Sequence, residues 1–205
     1  MRKSVLIISL SLILCCASTL FSPVFAVETS PSLDSQIAEL TNNIESHPNE
    51  SVLYFKRGNL YIKRQEFDLA IKDFDKAIEI NHRYAAAYLD RGFAYSKLKQ
   101  IDLAFNDYNK AIEIDPRYTH AYTNRAYLYL QKAEYDLAIS DCNKAIELNP
   151  KYAKAYLNKG TALEKKLMYS EAIETYRNLI ANTDPQQADI IDIAKSRIRL
   201  LGGTI

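Results

Sequence analysis

The chain has 205 residues, 48% hydrophobic and 25% charged, with 26 basic side chains against 25 acidic ones. That composition excludes a disordered or collagen-like segment and is enough to bury a core. Its near-neutral charge argues against a nucleic-acid partner, because a general nucleic-acid binder carries a basic excess to displace counterions.

The first 26 residues, MRKSVLIISLSLILCCASTLFSPVFA, have the order of an export signal. Arg2 and Lys3 lead, an apolar run follows from Val5 to Leu14, and Val24 and Ala26 are the small residues before a cut at Val27. Two other readings stand beside it. The stretch from Val5 to Phe21 approaches the ~17-residue lower limit of a spanning helix, so the segment could be kept as a membrane anchor. A lipid on Cys15 or Cys16 is disfavoured, because Leu14 and Cys15 are not the small residues that precede a lipidated cysteine. Cleavage would leave no membrane span, 24 basic residues against 25 acidic ones, and Cys142 as the one cysteine, with no internal disulfide possible. The expected location is the bacterial periplasm or the exterior, with the anchored form as the alternative.

Residues 27–50 read as a linker and a solitary capping helix. Ile37, Leu40 and Ile44, followed by Pro48, predict that helix over 33–46. Beyond it the chain repeats itself: DKAIEINHRY at 75–84 returns as NKAIEIDPRY at 109–118 and NKAIELNPKY at 143–152. A single active site needs its residues once, whereas stacked copies of one unit need the same packing residues in each copy. The frames are 51–84, 85–118, 119–152 and 153–186, thirty-four residues each. Their fourth place holds Tyr54, Tyr88, Tyr122 and Tyr156, the eighth Gly58, Gly92, Ala126 and Gly160. The eleventh holds Tyr61, Tyr95, Tyr129 and Leu163, the twentieth Ala70, Ala104, Ala138 and Ala172. Helical spacing runs twice through each frame, as in Tyr88, Tyr95 and Leu98, then Leu103, Ala104, Tyr108, Ala111 and Ile112, so each frame is a predicted helix hairpin. Pro116 and Pro150 close their frames. Asp184, Pro185 and Gln187 predict a last helix from about 185 to 201 within a capping segment at 187–205. It should bury Ile190, Ile193, Ala194, Ile198 and Leu201, leave Lys195, Arg197 and Arg199 wet, and end at Gly202 and Gly203. Ten helices are expected after residue 26.

A large aromatic, a small residue, a tyrosine, two alanines and a closing proline in these frames resemble the tetratricopeptide repeat (TPR). The resemblance covers 51–186 and implies an all-α, right-handed solenoid of antiparallel hairpins. Its departures are tyrosine for tryptophan at the fourth place, His82 for proline in the first frame, and Leu179 and Asp184 late in the fourth.

Signals for catalysis are absent. No glycine remains for a phosphate loop. His47, His82 and His120 lack metal-ligand spacing, so neither metal nor cofactor is expected. Cys142 falls where other frames have Phe74, Tyr108 and Tyr176, which marks a small occupant of a packing position. The chain is read as no enzyme.

Arg57, Arg91, Arg125 and Lys159 recur at the seventh place and could form an anion-binding stripe. Asp73, Asp107 and Asp141 recur at the twenty-third, and a hairpin turning near its fifteenth residue brings the seventh and twenty-third places level. Pairing within each hairpin is the favoured reading.

The TPR resemblance implies a concave groove lined by first helices, where a peptide or protein partner binds. The candidate groove residues are Phe55, Asn59, Leu89, Phe93, Asn124, Tyr127, Lys154 and Asn158. A clamp for a chaperone's C-terminal carboxylate is incomplete: only Asn59 fits in one register, and Asn124 and Lys154 in the other. The expected role is an adaptor, scaffold or assembly factor, with self-association through the convex face or a terminal helix as the alternative.

Overall fold

The computed structural model describes residues 31–204, which form ten α-helices and no strand. The segment at 1–26, with its export reading, lies outside the described residues. The helices are α1 (Leu33–Ser46), α2 (Ser51–Lys63), α3 (Phe67–Ile80), α4 (Ala85–Lys97), α5 (Ile101–Ile114), α6 (Thr119–Gln131), α7 (Tyr135–Leu148), α8 (Ala153–Lys165), α9 (Tyr169–Asn182) and α10 (Ala188–Leu200). The hairpins α2–α3, α4–α5, α6–α7 and α8–α9 stack in order, with α1 against the first and α10 against the last. Successive first helices also touch one another, α2 to α4, α4 to α6 and α6 to α8, while successive second helices make no comparable contact. The stack therefore curves into an all-α solenoid with its first helices inside.

Each hairpin turns through a residue in the left-handed region: Gln65, Lys99, Ala133 and Leu167, with φ between 58° and 62°. These are the fifteenth places. At each, two backbone bonds close the helix end, as where Gln100 N–H reaches Tyr95 C=O and Lys99 N–H reaches Ser96 C=O. This is the Schellman ending, which favours glycine at the left-handed residue. None of the four is glycine, although Gly202 (φ 79°) ends α10 in the same way. Ala133→Gly should relieve the strain at an exposed residue and raise stability by about 0.5–1 kcal/mol, after the entropy lost to glycine is counted. Urea denaturation will read the gain.

Small residues set the hairpin spacing. Ala70, Ala104, Ala138 and Ala172 are all fully buried. At the eighth place the approach is closer: a Cβ added to Gly58 would lie 2.7 Å from the Phe74 ring, and one added to Gly92 would lie 2.8 Å from Tyr108. Gly160 faces Tyr176 in the same way. The third hairpin reverses the sizes, with Ala126 and Cys142 both fully buried. Glycine thus goes with an aromatic ring and alanine with a thiol.

The fourth-place tyrosine closes the loop before it. The hydroxyls of Tyr54, Tyr122 and Tyr156 donate to the carbonyls of Pro48, Pro116 and Pro150 at 3.0–3.3 Å. A tryptophan could not reach as this phenol does. Tyr88, which follows His82, makes no such bond among the described residues.

The arginines pair within their hairpins. Arg57 meets Asp73, Arg91 meets Asp107 and Arg125 meets Asp141, each through two parallel bonds of 2.6–2.8 Å. Each guanidinium has a third contact, on the preceding helix: Thr41 Oγ1 at 3.0 Å, Asp75 Oδ1 at 2.6 Å and Asn109 Oδ1 at 2.6 Å. One side chain therefore ties three helices, and Thr41 makes α1 the stand-in for a missing second helix. The aspartates are only 4–6% exposed. Burial opposes the charge of Arg91, but its hydrogen bonds to Asp107 and Asp75 outweigh that and raise its pKa above the ordinary arginine value.

The C-terminal end departs from expectation. Asp184 does not cap α10: its Oδ1 accepts from Gln186 N–H at 2.9 Å in a tight turn, and the helix begins at Ala188 with no side-chain cap. The same turn follows the earlier hairpins one place sooner, from Asn81, Asp115 and Asn149. The expected face of α10 holds at Ile190, Ala194, Ile198 and Leu201, but Ile191 rather than Ile193 flanks it, and Ile193 is 47% exposed. Arg197 keeps a side chain 42% exposed, as expected, but it is not a free cation. It pairs with the nearly buried carboxylate of Glu164, which also accepts the Tyr176 hydroxyl at 2.5 Å.

Candidate functional site

The first helices present their sixth and ninth places at the seams between repeats. Asn59 of α2 points to Asp90 of α4 and favours its charged form. Asn124 of α6 does the same for the buried Tyr108 hydroxyl of the preceding hairpin. Asn158 of α8 donates to the Thr123 carbonyl of α6 at 3.2 Å. Asn158 is thus tied into the stack rather than left as a free backbone reader, while Asn59 and Asn124 act on Asp90 and Tyr108 without a hydrogen bond to them among the described residues.

Among the candidate groove residues, two fall away on packing grounds. Leu89 is 6% exposed and belongs to the core beneath the next repeat, with Ala121 and Leu128. Phe55 is half-buried against Phe74 and Tyr84, with ring centroids 5.9 and 4.8 Å away. The fifth place therefore covers the next hairpin instead of lining a groove.

Phe93, Tyr127 and Lys154 remain accessible. Phe93 is half-buried and belongs to none of the buried clusters, and Lys97 lays its ammonium over the ring at 5.0 Å. Tyr127, the same place one repeat on, is 53% exposed. Lys154 is exposed, and its charge adds to the effect of burial in lowering the pKa of His120. At the N-terminal end of this face a cavity of about 350 Å³ opens between α1 and α2, lined by Gln36, Glu39, Leu40, Lys56, Asn59 and Lys63.

Two features escaped the sequence reading. The residue before each of the inner helices α4, α6 and α8 is a half-buried tyrosine, Tyr84, Tyr118 or Tyr152, and His120 lies between the last two with ring centroids at 6.1 and 4.9 Å. Their recurrence at the thirty-fourth place was the available signal. The second is Asp90, whose carboxyl is raised from 3.8 to about 6 by burial, against the opposing pull of Asn59. Its charge in turn raises the hydroxyls of Tyr84 and Tyr118, each already raised by burial.

A raised carboxyl pKa means the folded chain binds the proton more tightly than the unfolded one. Stability at Asp90 therefore falls as pH climbs from about 4 to 6, and the whole penalty stands above that window. Asp90→Asn should raise stability by about 1–3 kcal/mol at pH 8 and change little at pH 4. Denaturation at the two pH values measures both.

The sequence matches three TPR family models: a TPR repeat over 58–99, tetratricopeptide repeats at 85–118 and 120–152, and another at 142–174. The chain belongs to the tetratricopeptide-repeat family. Solved TPR structures share its fold. MamA is 25% identical with TM-score 0.68, and the match covers 73% of this chain and 88% of that one. YrrB, described as a TPR protein with an unusual peptide-binding site, is 23% identical with TM-score 0.62, covering 78% and 82%. TTC0263, a thermophilic TPR protein of Thermus thermophilus, is 16% identical with TM-score 0.69, covering 82% and 91%. No curated protein matches the chain. Among the described residues no helix of this TPR array is long and apolar enough to cross a membrane.

Proposed function

We propose that the chain is a non-catalytic protein-interaction module, an adaptor, scaffold or assembly factor, whose concave face binds an extended segment of a partner. The observation that carries this reading is the pair Phe93 and Tyr127, accessible aromatics at the ninth position of adjacent first helices. Asn59 and Thr161 hold that position in the outer repeats, so packing does not demand a ring there. Aromatic side chains bury much area at little entropic cost and concentrate binding energy in few residues. YrrB, of the same fold, is described as having a peptide-binding site, so such an array is able to carry one. The thiol of Cys142 is fully buried and pushed up to about 12, mainly by burial, which keeps it protonated and inert as a nucleophile. We also propose export, with cleavage after Ala26, on the strength of the N-terminal pattern.

The test uses peptides selected from a random display library against residues 27–205. Phe93→Ala and Tyr127→Ala should each weaken the selected peptides by about 2 kcal/mol and leave the melting temperature unchanged. Loss of binding in proportion to loss of stability would return Phe93 to the core and end the groove reading.

Self-association has one observation of its own. Leu69, Leu103 and Leu137 stand 41–48% exposed at the same place of three second helices, and Glu171 ends the row. A concentration-independent monomer in light scattering removes it.

A further inference from the structure

Acidic side chains in this array obey a rule with one exception. Among the described residues, every other carboxylate that is not exposed has a cation within ion-pair distance. Asp73, Asp107 and Asp141 have their arginines, Glu66 has Arg64, Glu134 has Lys132, and Glu164 has Arg197. Asp90 is half-buried, like Glu66, Glu134 and Glu164, and has none; the Asn59 amide is the one side chain that favours its charge. Tyr84, Tyr108 and Tyr118 are close enough to feel that charge, yet none donates a hydrogen bond to it. A charge partly withdrawn from solvent and left without a partner is a standing cost to the folded state, and a natural chain retains such a cost chiefly where function requires it.

We infer that the concave face recognises a basic side chain, seating the guanidinium or ammonium of a partner's extended segment on the Asp90 carboxylate beside Tyr84 and Tyr118. The inference rests on the groove reading above and gives its occupant a charge. An incoming cation supplies the counter-charge that every other withdrawn carboxylate already has, and the tyrosine faces add cation–π attraction. Lys97 over Phe93, one helical turn further along α4, shows an ammonium group held on an aromatic ring of the same helix. On this face Lys97 is held on the Phe93 ring, Lys56 and Lys63 lie on α2 and Lys154 on α8, and none of them reaches ion-pair distance of Asp90, which is left to attract an incoming cation. The preference is therefore opposite to that of a carboxylate clamp.

The facing groups that titrate are Tyr84, Tyr108 and Tyr118, all raised and so protonated throughout the neutral range. On acidification Asp90 loses its charge and His120, packed against Tyr118 and lowered by burial and by Lys154, gains one; both changes act against a cation, so affinity for a basic segment should fall as pH drops through about 6.

Three degenerate N-acetylated octapeptide pools, identical except for a central Arg, citrulline or Glu, test this by fluorescence anisotropy. Citrulline keeps the shape and most donors of arginine but carries no charge. At pH 8 the Arg pool should bind at least about tenfold more tightly than the citrulline pool. That advantage should vanish in Asp90→Asn, whose fold is checked by circular dichroism, and shrink below about pH 6. Equal binding of the Arg and citrulline pools, an Arg advantage that survives Asp90→Asn, or a preference for Glu overturns the basic-residue assignment and leaves the peptide groove standing. Binding of no pool overturns both readings. A carbon-detected titration placing the free protein's Asp90 carboxyl near the ordinary value of 3.8 also overturns it, since the chain would then neutralise the charge itself.

Discussion

Arg91→Ala is expected to lower stability by about 3–5 kcal/mol, far more than a surface ion pair would cost. The substitution strands Asp107, which is 4% exposed, without the two hydrogen bonds that hold it as an anion. It also frees Asp75 on the preceding hairpin and removes the cation from the rings of Tyr88 and Tyr95, 5.4 and 5.8 Å from the guanidinium carbon. The fourth repeat already shows how the position works without the pair, because Lys159 and Thr175 replace both partners. Arg91→Lys combined with Asp107→Thr should therefore recover most of the loss, although Lys cannot reproduce the planar fork that ties three helices. Chemical denaturation of the single and double variants decides it. If Arg91→Ala is neutral or stabilising, the stacked cations are repelling one another instead, and an anion-binding stripe becomes the better account.

The repeat frame was legible in the sequence because packing leaves an imprint at every turn of the stack. Tyrosines at the fourth place, alanines at the twentieth and the Arg–Asp ladder recur because each hairpin solves the same contact problem. The candidate site was less legible, since a groove is defined by what does not pack. Leu89 has the composition of a binding residue and the surroundings of a core residue, and only the next repeat's Ala121 and Leu128 distinguish the two. Asn158 is indistinguishable in sequence from a free amide until the Thr123 carbonyl is found beneath it. In sequence Asp90 is one more polar residue at the sixth place, beside Asn124 and Asn158 of later frames. Its significance lies in the cation it lacks, which requires knowing every neighbour. The last helix was misplaced for a local reason: Asp184 serves a turn with Gln186, and a turn residue and a helix cap share the same chemistry. Arg197 was taken as a surface cation because its partner, Glu164, lies thirty-three residues back and outside any repeat pattern.

Cys142→Tyr is expected to destabilise the third hairpin by about 3 kcal/mol, at the upper end of what overpacking usually costs. In the second and fourth hairpins the tyrosine at this place lies against glycine, and the space left for a Cβ there is already below van der Waals contact. The third hairpin has Ala126 at the facing position, fully buried with no room to move aside, so a ring introduced at Cys142 meets a methyl group it cannot displace. Ala126→Gly alone opens a methyl-sized void and exposes helix backbone, costing about 1 kcal/mol or slightly more. Together the two changes rebuild the glycine–tyrosine contact of the neighbouring hairpins, and the double variant should regain most of the stability that Cys142→Tyr loses. The coupling between the positions should then exceed about 1 kcal/mol and be favourable, as expected for side chains sharing one contact. Urea denaturation of the four proteins of the cycle measures it. Additive losses would show that the eighth and twenty-fourth places do not choose their sizes jointly, and the exchange of glycine with ring for alanine with thiol would then be an accident of this repeat.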